Sequence, residues 1–384
     1  MKGHLRSRGA RSFELKVDIG RDATGKRIIE YRTHRGTKRE AQLELAKLIT
    51  AIGKGDHVVK SPLTVGEHVT NRIEQWEALE QISAKTSMRY RELLTNQIQP
   101  HLGGALLQAL KATDIERWHG TLLKAGRKDG KGGLSAQTIK HAHRLLGKAL
   151  KEAQRFDLIV RNVASLQPAP RVAREEITIL TREQIRDAME KLKHRVIYPK
   201  VVIALFTGMR RGEILAQRWG SVDFERKIIS VREALEETDA IRFKAPKSAA
   251  GKRDIVMPDV VLDTLRALRK QEQERRLALG LGKITGDMLV FTRLDGSPQS
   301  PLTLSKEWHK AATSIGLGSV SFHALRHTHA SALIDAGIDV VKISKRLGHA
   351  NPTITLTVYA HLFARREDKS AQAINEAVAS LLSV

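Results

Sequence analysis

The sequence predicts a mainly α-helical protein with small β-sheets, arranged as a multidomain α+β chain. Three observations carry this. Apolar residues recur at helical spacing through most of residues 64–165. Alternating apolar and polar residues mark short strands near the N-terminus and between about Val222 and Met257. A proline-containing stretch, Gln167–Arg174, reads as an extended linker. A length of 384 residues with 41% hydrophobic content suits two or three domains with cores of their own. No apolar run reaches the ~18–20 residues of a bilayer span, and the basic Met1–Arg6 segment leads into no apolar stretch. The expectation is a cytoplasmic protein with no membrane partner. Cysteine is absent, which excludes disulfide scaffolds, Cys-ligated zinc, iron–sulfur clusters and a cysteine nucleophile.

Residues 1–60 predict a small ββ(β)α unit. Phe13, Leu15, Val17 and Ile19 alternate with polar residues, Gly20–Gly25 supplies turn chemistry, and a second strand follows near Arg27–Thr33. Thr37 stands three residues before Glu40, the spacing of a capping box, and Ala41, Leu45, Leu48 and Ile52 share one helical face. Ser61-Pro62-Leu63-Thr64 marks the next boundary, and residues 61–166 read as a helical domain. Its helices run from Val65 to about Ala78 and from about Lys85 to Gln99, with a stop at Pro100. A third opens on a Thr113–Glu116 capping box and stops near Gly126, before a flexible basic loop, Gly126–Gly133. A fourth carries Ile139, Ala142, Leu146, Ala149 and Ala153 on one face. Residues 167–176 form the linker, and residues 177–384 a third domain that mixes helices with the strand cluster. Near its end Ala371, Ile374, Ala377, Val378, Leu381 and Leu382 make an apolar helical stripe that needs something to bury it.

Charge points to the partner. Lys and Arg number 66 against 42 Asp and Glu, a net +24. A field of this size suits a polyanion, and nucleic acid is the obvious one. Aromatics are only 4% of the chain, which argues against base-stacking platforms and for phosphate contacts to duplex DNA. Residues 1–60 hold 15 Lys and Arg against 7 Asp and Glu. There Lys16, Arg27, Arg32 and Arg35 are candidates for a basic ribbon entering a DNA groove. In the helical domain Lys85, Arg89, Lys140 and Arg144, with Arg91 and Lys148, are candidates for a second DNA-facing surface; an ordinary solvated face is the alternative for both.

Four segments of the last domain carry chemistry-bearing residues. In Thr207-Gly208-Met209-Arg210-Arg211-Gly212-Glu213, Arg210 opens a helix, where a guanidinium beside backbone amides makes an anion site, and Glu213 at i+3 holds it; a surface ion pair is the alternative. Phe243–Ile255 looks like two strands joined by a basic glycine-containing turn, with Lys244, Lys247 and Lys252 competing for any special role. In His323-Ala324-Leu325-Arg326-His327, the spacing puts His323, Arg326 and His327 on one helical face. Two histidines at i, i+4 have zinc-ligand spacing, but Ala324 replaces the glutamate of a metalloprotease helix and Arg326 opposes a dication, so phosphate fits better and no metal or cofactor is expected. Leu347-Gly348-His349 is followed ten residues after His349 by Tyr359, one of four tyrosines; a packed ring with its hydroxyl at the rim is the alternative to a nucleophile.

Together these segments resemble the tyrosine recombinase (phage integrase) family. The order Arg, Lys, His-x-x-Arg, His, Tyr is that family's active-site order, and Thr-Gly-Met-Arg-Arg-Gly-Glu, His-Ala-Leu-Arg-His-Thr, Leu-Gly-His and Val-Tyr-Ala-His look like its motif boxes. The resemblance implies an arm-type DNA-binding domain over residues 1–60, a core-binding (SAM-like) domain over 61–166 and a catalytic domain over 177–384. It implies that Arg210 and Arg326 clamp the scissile phosphate, that His349 adds a hydrogen bond, and that Tyr359 attacks phosphorus to give a 3′-phosphotyrosine. His323 is the candidate to share the tyrosine proton, Lys247 the candidate general acid, and Glu213 the group that orients Arg210. Implied partners are duplex DNA with core-type and arm-type sites, a homotetramer passing through a Holliday junction, and accessory DNA-bending or directionality proteins. An integrase of a phage or integrative element is the expected role. A silent DNA-binding protein, a type IB topoisomerase and a metal-dependent nuclease are the rivals.

Overall fold

Leu15 and Val17, the inward positions of an alternating strand, are fully buried and anchor a three-stranded antiparallel sheet against one helix. The sheet has the order β1 (Gly3–Gly9), β2 (Ser12–Arg21), β3 (Arg27–Arg35). Helix α1 (Lys38–Gly53) lays Leu48 and Ile52 against Val17. It opens as its sequence demands: the Thr37 N–H donates to the Glu40 carboxylate at 2.7 Å, and the Glu40 N–H to the Thr37 hydroxyl at 3.3 Å. Strand β1 escapes an alternation test because Leu5 is its one apolar residue.

The computed structural model describes residues 3–21, 25–53, 58–173, 177–246, 249–360 and 362–363. Two compact units divide between Arg174 and Glu175. Besides the sheet, the first unit holds α2 (Val65–Ala78), α3 (Ala84–Leu93), α4 (Gln99–Leu102), α5 (Ala112–Ala125) and α6 (Ala136–Arg155) around Ile73, Trp76, Trp118, Leu122 and Leu146. Two expectations are corrected here. Pro100 does not end a helix: α3 widens into a π-turn at Leu94–Ile98, and Pro100 then sits in the first turn of α4, where a missing N–H costs no intrahelical bond. The third helix opens at Lys111, whose N–H donates to the Asp114 carboxylate at 3.0 Å, rather than on a Thr113–Glu116 box.

The second unit starts with α7 (Arg182–Leu192), the apolar α8 (Tyr198–Thr207) and the short α9 (Arg211–Leu215). Strands β4 (Val222–Asp223), β5 (Ile228–Val231) and β8 (Arg253–Val256) form one antiparallel sheet, while β6 (Ala234–Glu237) and β7 (Ile241–Lys244) form a separate hairpin. This corrects the reading of Phe243–Ile255 as one hairpin. Its two strands pair in different sheets, because β5 supplies the inward Ile229 and Val231 that meet Ile255 and Arg253 in register. Helices α10 (Asp259–Ala278), α11 (Pro301–Thr313), α12 (Phe322–Asp335) and α13 (Val340–Leu347) follow, and residues 352–360 are helical. One large core gathers Val201, Leu205, Ile214, Ile255, Leu262, Trp308 and Leu325. A smaller one joins Ala330, Ile334, Ile343 and Leu347 to Tyr359 and Leu362. Among the described residues no helix is long and apolar enough to cross a membrane.

Candidate active site

Two left-handed glycines shape the site. Gly208, with φ 68°, ends α8, and Gly348, with φ 67°, ends α13. A Cβ at Gly208 would lie 2.7 Å from the His329 ring, and one at Gly348 2.8 Å from Arg253 Nη1. Conformation and space both require glycine there. The first turn delivers Arg210 to the start of α9, and the second delivers His349.

Arg326, 2% exposed on α12, ties these turns together. It donates from Nη1 to the Gly208 carbonyl at 2.6 Å and from Nη2 to the Leu347 carbonyl at 2.7 Å. Both acceptors belong to helix C-termini, where orphan carbonyls attract a cation. Burial, and after it the Arg210 charge, pull its pKa down to about 9, which leaves it a cation at neutral pH.

Arg210 donates from Nη1 to Glu213 Oε1 at 2.8 Å and from its backbone N–H to Glu213 Oε2 at 2.8 Å. Its Nη2 donates to the Gly348 carbonyl at 3.1 Å. The expected Glu213 support is therefore a buried capping carboxylate. Arg253, which sequence reasoning missed, reaches the same carboxylate from β8 at 2.8 Å. The available signal was an inward strand position occupied by arginine: Arg253 and Ile255 are both buried, while Asp254 and Val256 are exposed.

Arg210, Arg211, Lys244, His323 and Arg326 line a cavity of about 950 Å³, on which Glu213 is the one carboxylate among the described wall residues. His323 opens onto this concavity. The surrounding protein strips it of water and, with the His327 and Arg326 charges, draws its pKa down to about 4. His349 is held at about 4 in the same way, burial first and then Arg326, and its Nδ1 lies 2.8 Å from Thr355 Oγ1. Both rings are neutral at physiological pH.

Tyr359 is 1% exposed. Its hydroxyl lies 2.7 Å from His327 Nδ1. The partner is thus His327 rather than the expected His323, although the two rings stack edge to face one helical turn apart at 4.7 Å. Burial raises the phenol to about 12. Of the lysines, Lys244 lines the cavity in an ion pair with Glu236, Lys252 is exposed, and Lys247 lies outside the described residues.

Behind the site, Arg346 donates from Nε to His329 Nε2 at 3.0 Å, and His329 Nδ1 meets the Leu205 carbonyl at 2.9 Å. An acceptor at Nε2 means that Nδ1 carries the proton and the ring is neutral. Burial and the Arg346 charge hold its pKa at about 3 against an ordinary 6.5. The unfolded chain takes up a proton below pH 6.5 that the folded ring refuses. Stability is full above that pH and falls as pH drops toward 3, by about 1.4 kcal/mol per unit of pKa difference. His329→Asn keeps a donor for Leu205 but cannot titrate. It is expected to lower the thermal midpoint at pH 7 and to flatten the midpoint's decline between pH 6.5 and 4; parallel declines would exclude His329 as a source of acid sensitivity.

In the first unit the sheet register sorts the candidate DNA contacts. Lys16 faces Tyr31 across the strands, with Arg35 and Arg27 on the same outer face of β3. Arg32 pairs with Leu15, so it points to the α1 side, where its Nε donates to Glu30 at 2.7 Å. Period-two alternation separates it from the other three. Lys140 and Arg144 on α6 and Arg89 on α3 cluster around His141, lowering its pKa after burial has done so; Arg89 also pairs with Glu92, and Lys85 is exposed. Lys148 is withdrawn from such a surface by the Trp76 ring, 3.7 Å below it, and Arg91 bonds Glu77. The apolar stripe from Ala371 to Leu382 lies outside the described residues.

Arg210, Arg326 and the neutral His323 thus gather on one concave, strongly cationic surface, an arrangement suited to binding an anion. Residues 177–366 match the Phage integrase family model. A "Tyrosine recombinase XerC-like" protein of Caldanaerobacter subterraneus is 25% identical over 96% of this chain and 97% of its own length. An integrase of Streptomyces ambofaciens is 26% identical over 89% and 87%. Among solved structures, the Tn1549 transposon integrase bound to transposon right end DNA covers 81% of this chain and 100% of its own, with a TM-score of 0.68 and 22% identity. A lambda integrase tetramer bound to a Holliday junction covers 91% and 96%, with a TM-score of 0.54 and 18% identity. The chain belongs to the tyrosine recombinase (phage integrase) family, whose members are site-specific DNA recombinases.

Proposed function

We propose that this enzyme cuts and rejoins duplex DNA as an integrase of a phage or integrative element, with Tyr359 as nucleophile. The observation that carries the reading is the convergence of Arg210 and Arg326 on one cavity, both anchored through carbonyls at the Gly208 and Gly348 turns. A phosphodiester in substitution gathers negative charge on its nonbridging oxygens, and two preorganised guanidiniums stabilise that charge without reorganising. His349 and His323, both neutral, offer a hydrogen bond and a proton acceptor beside the same phosphate. The Tyr359 oxygen forms the new P–O bond while its proton passes to His323, the P–O bond to the 5′-oxygen breaks, and Lys247 gives that leaving oxygen a proton. Attack by a 5′-hydroxyl on the phosphotyrosine reverses the step on a new strand. The bond energy is conserved, so no nucleotide cofactor is consumed. The lambda tetramer on a Holliday junction supports the same assembly for this chain, with accessory DNA-bending or directionality proteins setting its course. Residues 1–60 bind the arm-type sites and residues 61–166 the core-type sites, and the protein acts in the host cytoplasm.

The test is covalent capture. Protein and sheared DNA from the source cell, mixed at low salt with EDTA and quenched in SDS, are expected to yield protein-linked DNA whose sequence reveals the sites. Duplex binding without any linked DNA would favour a silent DNA-binding protein.

The sheet face gives a second expected result. Lys16→Ala and Arg35→Ala should each weaken binding to a random duplex and reduce the slope of log affinity against log salt by about 1, while Arg32→Ala leaves the slope unchanged. An equal drop for Arg32→Ala would place the DNA on the other face.

A further inference from the structure

We infer that Arg253 is a positioning residue that keeps Arg210 electrostatically available to the phosphate; the inference rests on the functional reading above. Glu213 is buried, and each of its oxygens is shared between two arginines. Oε1 accepts from Arg210 Nη1 at 2.8 Å and Arg253 Nη1 at 3.2 Å, and Oε2 from the Arg210 backbone N–H and Arg253 Nη2, both at 2.8 Å. The two guanidiniums differ in place. The Arg253 side chain is 6% exposed and turned inward, whereas that of Arg210 is 41% exposed on the cavity. Two cations around one carboxylate leave a net positive charge, and the buried partner supplies the compensation from behind. Without Arg253 the Glu213 charge would fall wholly on Arg210, and a closed ion pair has little field left for an incoming phosphate.

Arg253 does more than balance charge. Its Nε donates to the Arg346 carbonyl at 2.7 Å, and its Nη1 donates to the Gly251 carbonyl at 3.2 Å. One guanidinium thus joins the α9 carboxylate, the turn entering β8 and the end of α13 that leads to His349. Its head fills the space that forces glycine at Gly348.

The experiment measures covalent adduct formation in a single turnover, at saturating protein, on the duplex recovered by covalent capture. Arg253→Met is expected to bind that duplex within about twofold of wild type and to form adduct about 10–100-fold more slowly. The informative variant is the double Arg253→Met, Glu213→Gln. Removing the uncompensated carboxylate should restore several-fold of the rate lost by the single variant, whereas a merely structural Arg253 would make the double no faster. Arg253→Lys, which keeps the charge, should stay closer to wild type than Arg253→Gln; this pair, with Glu213→Gln added to Arg253→Gln, carries the test if the Met variant does not fold. A wild-type rate for Arg253→Met, or a double variant no faster than the single, overturns the inference. Absence of adduct from the wild type itself would overturn the tyrosine reading and this inference with it.

Discussion

Tyr359→Phe is expected to abolish the SDS-resistant protein–DNA adduct while leaving noncovalent duplex binding within about twofold, because only the nucleophilic oxygen is removed. The ring packs against Ala330, Ile334, Ile343 and Leu347, and phenylalanine fills the same space. The fold loses one hydrogen bond, to His327, at a cost of about 1 kcal/mol. In this structure the phenol is protonated at neutral pH, since burial raises it to about 12. It also faces His327 rather than standing among the cavity wall residues. With Tyr359 as the proposed nucleophile, cleavage would require the hydroxyl to exchange His327 for the phosphate. The measurement is a denaturing gel with end-labelled duplex, run for both proteins at matched occupancy. An adduct that persists in Tyr359→Phe identifies a different nucleophile.

Much of this site was legible because its elements are locally encoded. Arg210 and Glu213 pair at i and i+3, and His323, Arg326 and His327 share a face by helical spacing. Fold class followed from similar local signals, such as the Thr37–Glu40 box and the Ile139–Ala153 stripe. What escaped is what depends on distant partners. Arg253 lies 40 residues from Glu213, and nothing in its own segment says which carboxylate it meets. Strand pairing is equally non-local, so β7 and β8 looked like one hairpin although β5 and β6 claim them separately. Arg32 reads as one more basic residue until the register with Leu15 assigns it to the inner face. His327 rather than His323 meets Tyr359 through a contact 32 residues long, and helical spacing does not choose between two rings on one face.

The second large effect belongs to Arg326. Arg326→Met should slow adduct formation by at least ~10²–10³-fold at saturating DNA, the usual loss when a donor to a developing oxyanion is removed. Two of its N–H groups are committed to the Gly208 and Leu347 carbonyls, which fixes the plane of the guanidinium, and the charge is aimed at the cavity shared with Arg210. Methionine removes the charge and leaves both carbonyls without their donor, at about 1–3 kcal/mol for each one left dry. Arg326→Lys tests the two roles separately. It retains a cation, but a single ammonium cannot span both carbonyls and also present a fork of donors to a phosphate. It should therefore recover stability in thermal unfolding more fully than it recovers the cleavage rate. A lysine variant that cleaves like wild type would mean that charge alone suffices and that the two carbonyl bonds serve the fold only. A methionine variant that folds, binds DNA and still cleaves at the wild-type rate would remove Arg326 from the mechanism, and with it the case for a paired arginine clamp.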